Sequence, residues 1–505
     1  MKQLLVTLFL VLGFSSLAQT YINRIDSIIG GRPAPSVLVE DSLIIVSSTS
    51  FLNFSEGQFS KYDFKGNLVQ LKTYEDTCVF ITERCRDCLK KKGINYYMAA
   101  TNFYLGNNNT EVVFQKLDQN LDTIYSKKYH GIKSGRPFIN ALQFDTDSSF
   151  IATGYLYRDS VKSKRNLWVA RFDTAFNVLW EKSLKDQHQA LNGGYYAEDI
   201  CIDAYGSVLV SGRGQIVDNG AQIFDYYSVT ARLNRETGDL YWLKEFTGPE
   251  GSGNMFVLDE GDGTYLFARP QYLQVFPGTS TPIRSEIRFG LLDTLGNVLW
   301  DTTTGPKEGL FEYHDLQRTL DGNLYMAGAR RMPKAYRSVG YKFTPQGDSI
   351  WFRDYYYQDT TDISYIWSFE ETADSGFVHA GIFVDRNKTL DSLRIQYSWL
   401  FKTDKYGCPV QNCHTIGVPA FKAKAPLIAV YPNPSTGVFT IKIPKEVFAT
   451  NLEVQVYNTT GQRVYAKPLP QLQSAIVLHG QPPGLYLLTI RQGSEVMHSQ
   501  KIRVE

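Results

Sequence analysis

The sequence predicts an all-β chain, a seven-bladed β-propeller followed by a small C-terminal β-sandwich. Three observations carry that reading. One strand-turn-strand unit recurs seven times, nothing within it has a helical period, and the last eighty or so residues break into short alternating strands of another kind. Of the 505 residues, 43% are hydrophobic and 20% charged, enough apolar surface for a large core and too little charge for general disorder. Lys plus Arg is 52 and Asp plus Glu is 51, a net charge of +1. No global field therefore draws in nucleic acid or anionic lipid, and no nucleic-acid partner is expected.

Taken in order, residues 1–18 read as a secretory signal peptide. Met1-Lys2-Gln3 is a basic start, residues 4–14 are apolar, and Ser16-Leu17-Ala18 is a small-residue cleavage pattern before Gln19. The apolar run is too short to span a bilayer, and no later run of about 18 apolar residues follows, so no transmembrane segment is expected.

Residues 20–415 hold the repeat. Each copy has an apolar strand ending in small residues, as in FIATGY at Phe150, VLVSGR at Val208, LYMAGA at Leu324 and FVHAGI at Phe377. A strand, a turn and a strand follow, with Asp63, Asp118, Asp173, Asn234, Asp293, Thr344 and Asp404 at the aligned turn position. Successive gaps of 55, 55, 61, 59, 51 and 60 residues are too regular for chance. A turn Asp or Asn can bond its own backbone two residues on, and Gly66, Gly238, Gly296, Gly347 and Gly407 can take the positive φ that closes a hairpin. Trp180, Trp242, Trp300 and Trp351, with Tyr125, supply one large ring per unit for packing between sheets. Another short strand precedes each copy, which makes four strands per unit. Seven such units describe one closed ring. The seventh copy lacks a convincing fourth strand after Gly407, and the orphan segment Tyr21 to Ile29 is expected to pair there and close the ring, since an unclosed ring would leave exposed edges; the alternative is that the last blade is short.

The search for chemistry finds little. Seven histidines are scattered with no metalloprotease pair, nucleophile elbow, P-loop or dinucleotide fingerprint, so no catalytic residue, cofactor or metal ligand is assigned. His379 stands where other copies have small residues or Met and is a possible channel residue, lining either the blade interior or the channel. His314-Asp315 has the composition of a base with an orienting carboxylate, but adjacent side chains point to opposite strand faces. The acidic turn 259–263 and the pair Asp145 and Asp147 lack the pattern of a calcium loop. Six cysteines in an exported chain favour disulfides, with Cys408 and Cys413 the expected pair. Cys78 is expected to bridge Cys85 or Cys88, with Cys201 alone in a strand.

Residues 416–426 read as a linker and 427–505 as a sandwich of about 80 residues, in which Pro432, Pro434 and Gly437 form a rigid bend. By themselves these residues also fit an adhesive module that stays on the chain. Its sorting-motif residues are Tyr431, Pro432, Asn433, Pro434 and Gly437 in the opening YPNP-x-x-G, Gly484 and Tyr486 in PPGLYLLTI, and Lys501 in the closing strand. Together with the VYNTTGQRVY hairpin they resemble the type A C-terminal sorting domain of the type IX secretion system. That resemblance implies export across both membranes, with residues 427–505 recognised by the secretion machinery. The domain is then removed, and the cargo is released or held on the outer cell surface. The repeat resembles, loosely, quinoprotein propeller blades, best in Arg235 to Trp242, and more closely the degenerate propeller repeats of proteins with this sorting domain. The expected function is a secreted or surface-displayed binding or structural module for an extracellular glycan or protein. The alternative is an extracellular propeller enzyme acting on polysaccharide or dependent on a quinone, which convergent carboxylates at one face of the ring would favour.

Overall fold

Short apolar runs closed by Asp, Asn and Gly turns favour local antiparallel pairs over any other backbone arrangement. The computed structural model follows that rule throughout, with 36 strands between Ile22 and Val504 among the described residues. It describes residues 22–505 apart from short segments, the longest being 29–35, 158–164, 186–191, 276–281 and 414–427. The predicted signal peptide 1–18 and linker 416–426 lie outside the described residues, as do Cys78 and Cys85. The chain divides into two compact units, Met1–Thr415 and Ile416–Glu505.

In the first unit the described strands sort into seven antiparallel groups. The first is Ser36–Val39, Leu43–Ser50, Glu56–Asp63 and Leu68–Glu75, paired in sequence order. The fifth, Phe256–Asp259 through Val298–Thr304, repeats that meander, as do the groups within 136–184, 192–246 and 310–355. In the second group two short pieces, Val79–Ile81 and Leu89–Lys92, share the place of the first strand along Asn95–Phe103. The strand that opens each group neighbours the opening strands before and after it, and that of the seventh, Ile363–Glu371, returns to Ser36–Val39 of the first. The opening strands therefore surround a common axis, as in a propeller.

Ring closure follows the expected route. Ile22–Ile28 pairs antiparallel with Leu393–Thr403, with Ile22 opposite Lys402 and Ile28 opposite Gln396, and becomes the fourth strand of the seventh group. Trp399 Nε1 donates to Asn23 Oδ1 at 2.9 Å across this seam.

The outer turns show why one residue type recurs. Asp63, Asp118, Asp173, Asp293 and Asp404 each accept backbone N–H bonds from the residues two and four positions on, at 2.8 to 2.9 Å. Thr344 does the same through its hydroxyl at 3.1 and 3.3 Å. The five expected glycines have positive φ, and the two copies without glycine place Leu121 (φ 61) and Phe176 (φ 60) there, both buried. Each turn is then gripped by the preceding group. Trp180, Trp242 and Trp351 donate their indole N–H to Arg235, Thr294 and Lys405 carbonyls at 2.8, 2.9 and 3.3 Å, and Tyr125 stacks on Phe176. Trp300 rests instead on Phe289 within its own sheet. Ile22 takes the tryptophan's place at the seam, where a Cβ on Gly66 would come within 2.9 Å of it.

The second unit is a two-sheet sandwich. Three strands, Ala429–Tyr431, Val438–Lys442 and Gln473–Val477, face four, Leu452–Tyr457, Arg463–Pro468, Gly484–Gln492 and Glu495–Val504. Phe439, Ile441, Val454, Leu488, Ile490 and Ile502 fill the space between them.

Candidate functional site

The small residues that end each second strand have a job that the repeat pattern did not disclose. The opening strands of the third, fourth, sixth and seventh groups each carry a β-bulge that leaves one extra residue, namely Asn140, Glu198, His314 and Trp367. Opposite each bulge lies Gly154, Gly212, Gly328 or Gly381, where a Cβ would come within 1.9 to 2.2 Å of a backbone carbonyl. Only glycine allows that approach. Two bulge residues bind the next bulge. Asn140 Nδ2 donates to Ala197 O at 2.6 Å, and His314 Nδ1 lies 2.8 Å from Ile366 O.

Three of these residues, Glu198, His314 and Trp367, meet at a cavity of about 230 Å³. Glu198, Arg213 and Tyr226 come from the fourth group and Asn254, Pro270 and Tyr272 from the region of the fifth; the sixth gives Glu312, His314 and Arg331, and the seventh gives Trp367. Trp367 stacks face to face on His314, with ring centres 4.2 Å apart and planes 9° apart. The Arg213 guanidinium sits over Tyr196 and Tyr226 at 5.0 and 5.9 Å, and its Nε is 3.9 Å from Glu198 Oε1. Aromatic faces and charges of both signs thus share one concave surface, the usual makeup of a binding site.

Further along the same opening strands lies a set of acids. Lys90 Nζ pairs with Asp87 at 2.5 Å, and Gln317 donates to Asp315 at 2.9 Å. Burial, reinforced by Asp87, Asp199 and Glu370, pushes the Asp315 carboxyl well above the carboxylate range. Burial also lifts Glu370 to about 7, against the lowering effect of Lys90 and with a further raise from Asp87. Burial alone would depress the Lys90 ammonium, but Asp87, Glu370 and Asp315 outweigh it and raise it. In this cluster three carboxyl groups, Asp87, Asp315 and Glu370, therefore act on the Lys90 ammonium. Among the described residues no group of three or more His, Cys, Asp or Glu side chains is arranged to hold a metal ion.

Of the residues singled out in the sequence, His379 lies in the blade interior rather than at solvent. It is fully buried, stacks on Phe401 at 4.5 Å, and its Nε2 is 2.8 Å from Tyr325 Oη of the sixth group. Burial lowers its imidazole to about 3, so it packs the joint between two sheets as a neutral ring. The bulge at His314 interrupts the alternation that would set His314 and Asp315 on opposite faces: His314 Nδ1 lies 2.8 Å from Ile366 O, and Asp315 accepts from Gln317, which also donates to Phe369 O of the same neighbouring strand at 3.0 Å. Asp145 pairs with Arg171 at 2.8 Å, and Glu260 with Arg318. Cys408 and Cys413 form the expected disulfide, with Cα atoms 5.4 Å apart. Cys88 is disulfide-bonded, and Cys201 is a free thiol raised by burial.

In the second unit the sorting-motif residues gather along the last strand. Asn433 donates to Lys501 O at 2.8 Å and accepts from Arg503 N at 2.9 Å, and Gly484 pairs with Val504. Ser435 bonds the backbone of Arg503 and Glu505. Tyr431-Pro432 and Asn433-Pro434 are cis, and Gly437 has φ +99. Tyr486 Oη donates to Pro482 O at 2.7 Å. The Tyr431–Pro434 segment is exposed, so the bend is held rigidly and presented to solvent.

Among solved structures, the chain is similar to the quinohemoprotein alcohol dehydrogenase ADHIIG from Pseudomonas putida HK5, at 9% identity over 84% of this chain and 78% of that one (TM-score 0.37). It is similar to the β-propeller domain of the Trilobed protease from Pyrococcus furiosus, at 13% over 77% and 99% (TM-score 0.35). It is also similar to PorZ, a surface component of the type-IX secretion system of Porphyromonas gingivalis, at 8% over 95% and 100% (TM-score 0.22). Superpositions this loose say nothing of activity or ligand. No curated protein matches the chain. Among the described residues no helix is long and apolar enough to cross a membrane. Residues 429–505, in contrast, match the secretion system C-terminal sorting domain family, so the second unit belongs to that family and marks the chain for export through the type IX secretion system to the cell surface or the medium.

Proposed function

We propose that residues 20–415 form one ring of seven blades whose task, after removal of a signal peptide (1–18), is to bind an extracellular ligand at the cavity of Glu198, Glu312, His314 and Trp367. Residues 427–505, joined through the linker 416–426, engage the secretion machinery on the way out. The observation that supports a binding role is the cavity itself, where aromatic rings and paired charges from four groups converge on one space. Glu198, His314 and Trp367, each set at a bulge, line that space together.

The test adds purified ring protein back to washed producer cells and measures the fraction that sediments with them. Asn254→Trp fills the cavity and is expected to release the protein, whereas equal retention of variant and parent would end this reading. A second reading has one observation in its favour, because Glu198 and Glu312 converge with His314 on the same cavity, as a polysaccharide-acting enzyme would require. Release of new reducing ends from a panel of extracellular polysaccharides, lost in Glu312→Gln, would establish it.

A further inference from the structure

We infer that the ligand of this cavity is a neutral sugar ring, one terminal residue of an extracellular glycan. The inference rests on the cavity being the ring's binding site and names the chemistry that fits it.

Charge decides first. Arg213 and Arg331 face Glu198 and Glu312 around the space, so the walls balance and offer no net attraction to a phosphate, a sulfate or a polyamine. Each arginine also lies over a ring face, Arg213 over Tyr226 and Arg331 over Tyr336 at 5.9 and 5.8 Å, which leaves the in-plane N–H groups as donors, Arg213 Nε among them. Hydrogen-bond capacity decides second. The wall holds donors and acceptors side by side, including Trp367 Nε1 and Asn254 Oδ1, both buried without a hydrogen-bond partner among the described residues. Buried polar atoms are ordinarily satisfied, so these two mark where a partner group is called for. A hydroxyl gives and takes at once, and a ring carrying several of them meets such a mixed wall where an apolar or purely anionic ligand would not. Shape decides third. Trp367 is half-buried, stacks on His314 and lies nearly parallel to Tyr365 at 5.8 Å, so it presents a rigid aromatic border to the C–H groups of a sugar. At about 230 Å³ the space is smaller than the roughly 300 to 1,000 Å³ of sites for drug-sized molecules, so it admits one ring rather than a run of them.

The test is saturation-transfer NMR on the purified ring protein with three sets of free monosaccharides: neutral hexoses, N-acetylhexosamines and uronates. At least one neutral sugar is expected to bind with millimolar affinity or better, and no uronate more tightly. Trp367→Leu should weaken that sugar about tenfold, the effect of losing roughly 1.4 kcal/mol of stacking. Should Trp367→Leu misfold, Glu312→Gln at the half-buried rim serves instead and should weaken binding severalfold with an unchanged circular-dichroism spectrum. Absence of binding by every neutral sugar, tighter binding of a uronate, or equal affinity in parent and variants would overturn the inference. The two readings separate cleanly. If Asn254→Trp releases the protein from cells while no neutral sugar binds, the site stands and the sugar falls. If retention is indifferent to Asn254→Trp, both fall.

Discussion

The outer turns and the inner bulges of the ring are built on the same repeat, yet they treat sequence in opposite ways. At the outer turn every copy needs a side-chain acceptor, Asp in five and Asn234 or Thr344 in the other two, to take two backbone N–H groups and shape a loop that the previous group grips. At the bulge the extra residue is Asn140, Glu198, His314 or Trp367, with nothing in common. Positions that do one structural job converge on one kind of acceptor, and positions that face the axis are free to differ. A repeat is thus uniform where it holds itself together and varied where it meets something else.

Substitutions can break that contrast or sharpen it. The largest effect is expected at Gly212, opposite the Glu198 bulge, where a Cβ would lie 2.0 Å from the Tyr196 carbonyl. Gly212→Ala should cost roughly 3 to 5 kcal/mol in urea unfolding, or prevent accumulation of folded protein. A loss below about 1 kcal/mol would mean that the bulge is soft.

Next comes the acidic interior. Glu370 is raised from 4.5 to about 7, so between those values the folded state holds a proton that the unfolded state has released. Its contribution is therefore full below about pH 4.5 and is lost as pH rises through 7, a fall of up to about 3 kcal/mol. Unfolding free energies measured from pH 4.5 to 8 should flatten in Glu370→Gln, and an identical slope in parent and variant would refute the assignment.

The outer lock should be somewhat weaker than the inner one. Gly238→Ala places a methyl 2.6 Å from the Trp180 ring at φ +69 and is expected to cost about 2 kcal/mol. Thermal unfolding that ranks it above Gly212→Ala would invert the comparison. Smallest is Asp173→Ala, which leaves the Ala175 and Asn177 N–H groups to water at an exposed turn and should cost about 1 kcal/mol.

The same contrast explains what could be read from the sequence. The turn residues, the glycines at positive φ, the Cys408–Cys413 bridge and the strand that closes the seam were all legible, because each follows from local chemistry repeated at a fixed spacing. So was the C-terminal sandwich, whose bend carries its own motif. Glu198 and Trp367 were not, and His314, noticed beside Asp315, was set aside on an alternation that its bulge interrupts, since a bulge shifts the pattern by one residue and erases what would mark an inward face. The signal was indirect: a glycine in the second strand, in ATGY, VSGR, MAGA and HAGI, announces a carbonyl pressed against it from the strand alongside. Glu370 and Lys90 gave no signal, because their meeting depends on how distant groups close around the axis.

The seam has one more implication. Because the ring borrows its final strand from Ile22–Ile28, with Asn23 and its partner Trp399 376 positions apart in the chain, none of its described strands comes from beyond the Cys408–Cys413 bridge. A cut between the two units would therefore sever none of the described ladders of the ring, whose last strand is supplied from its own N-terminal end.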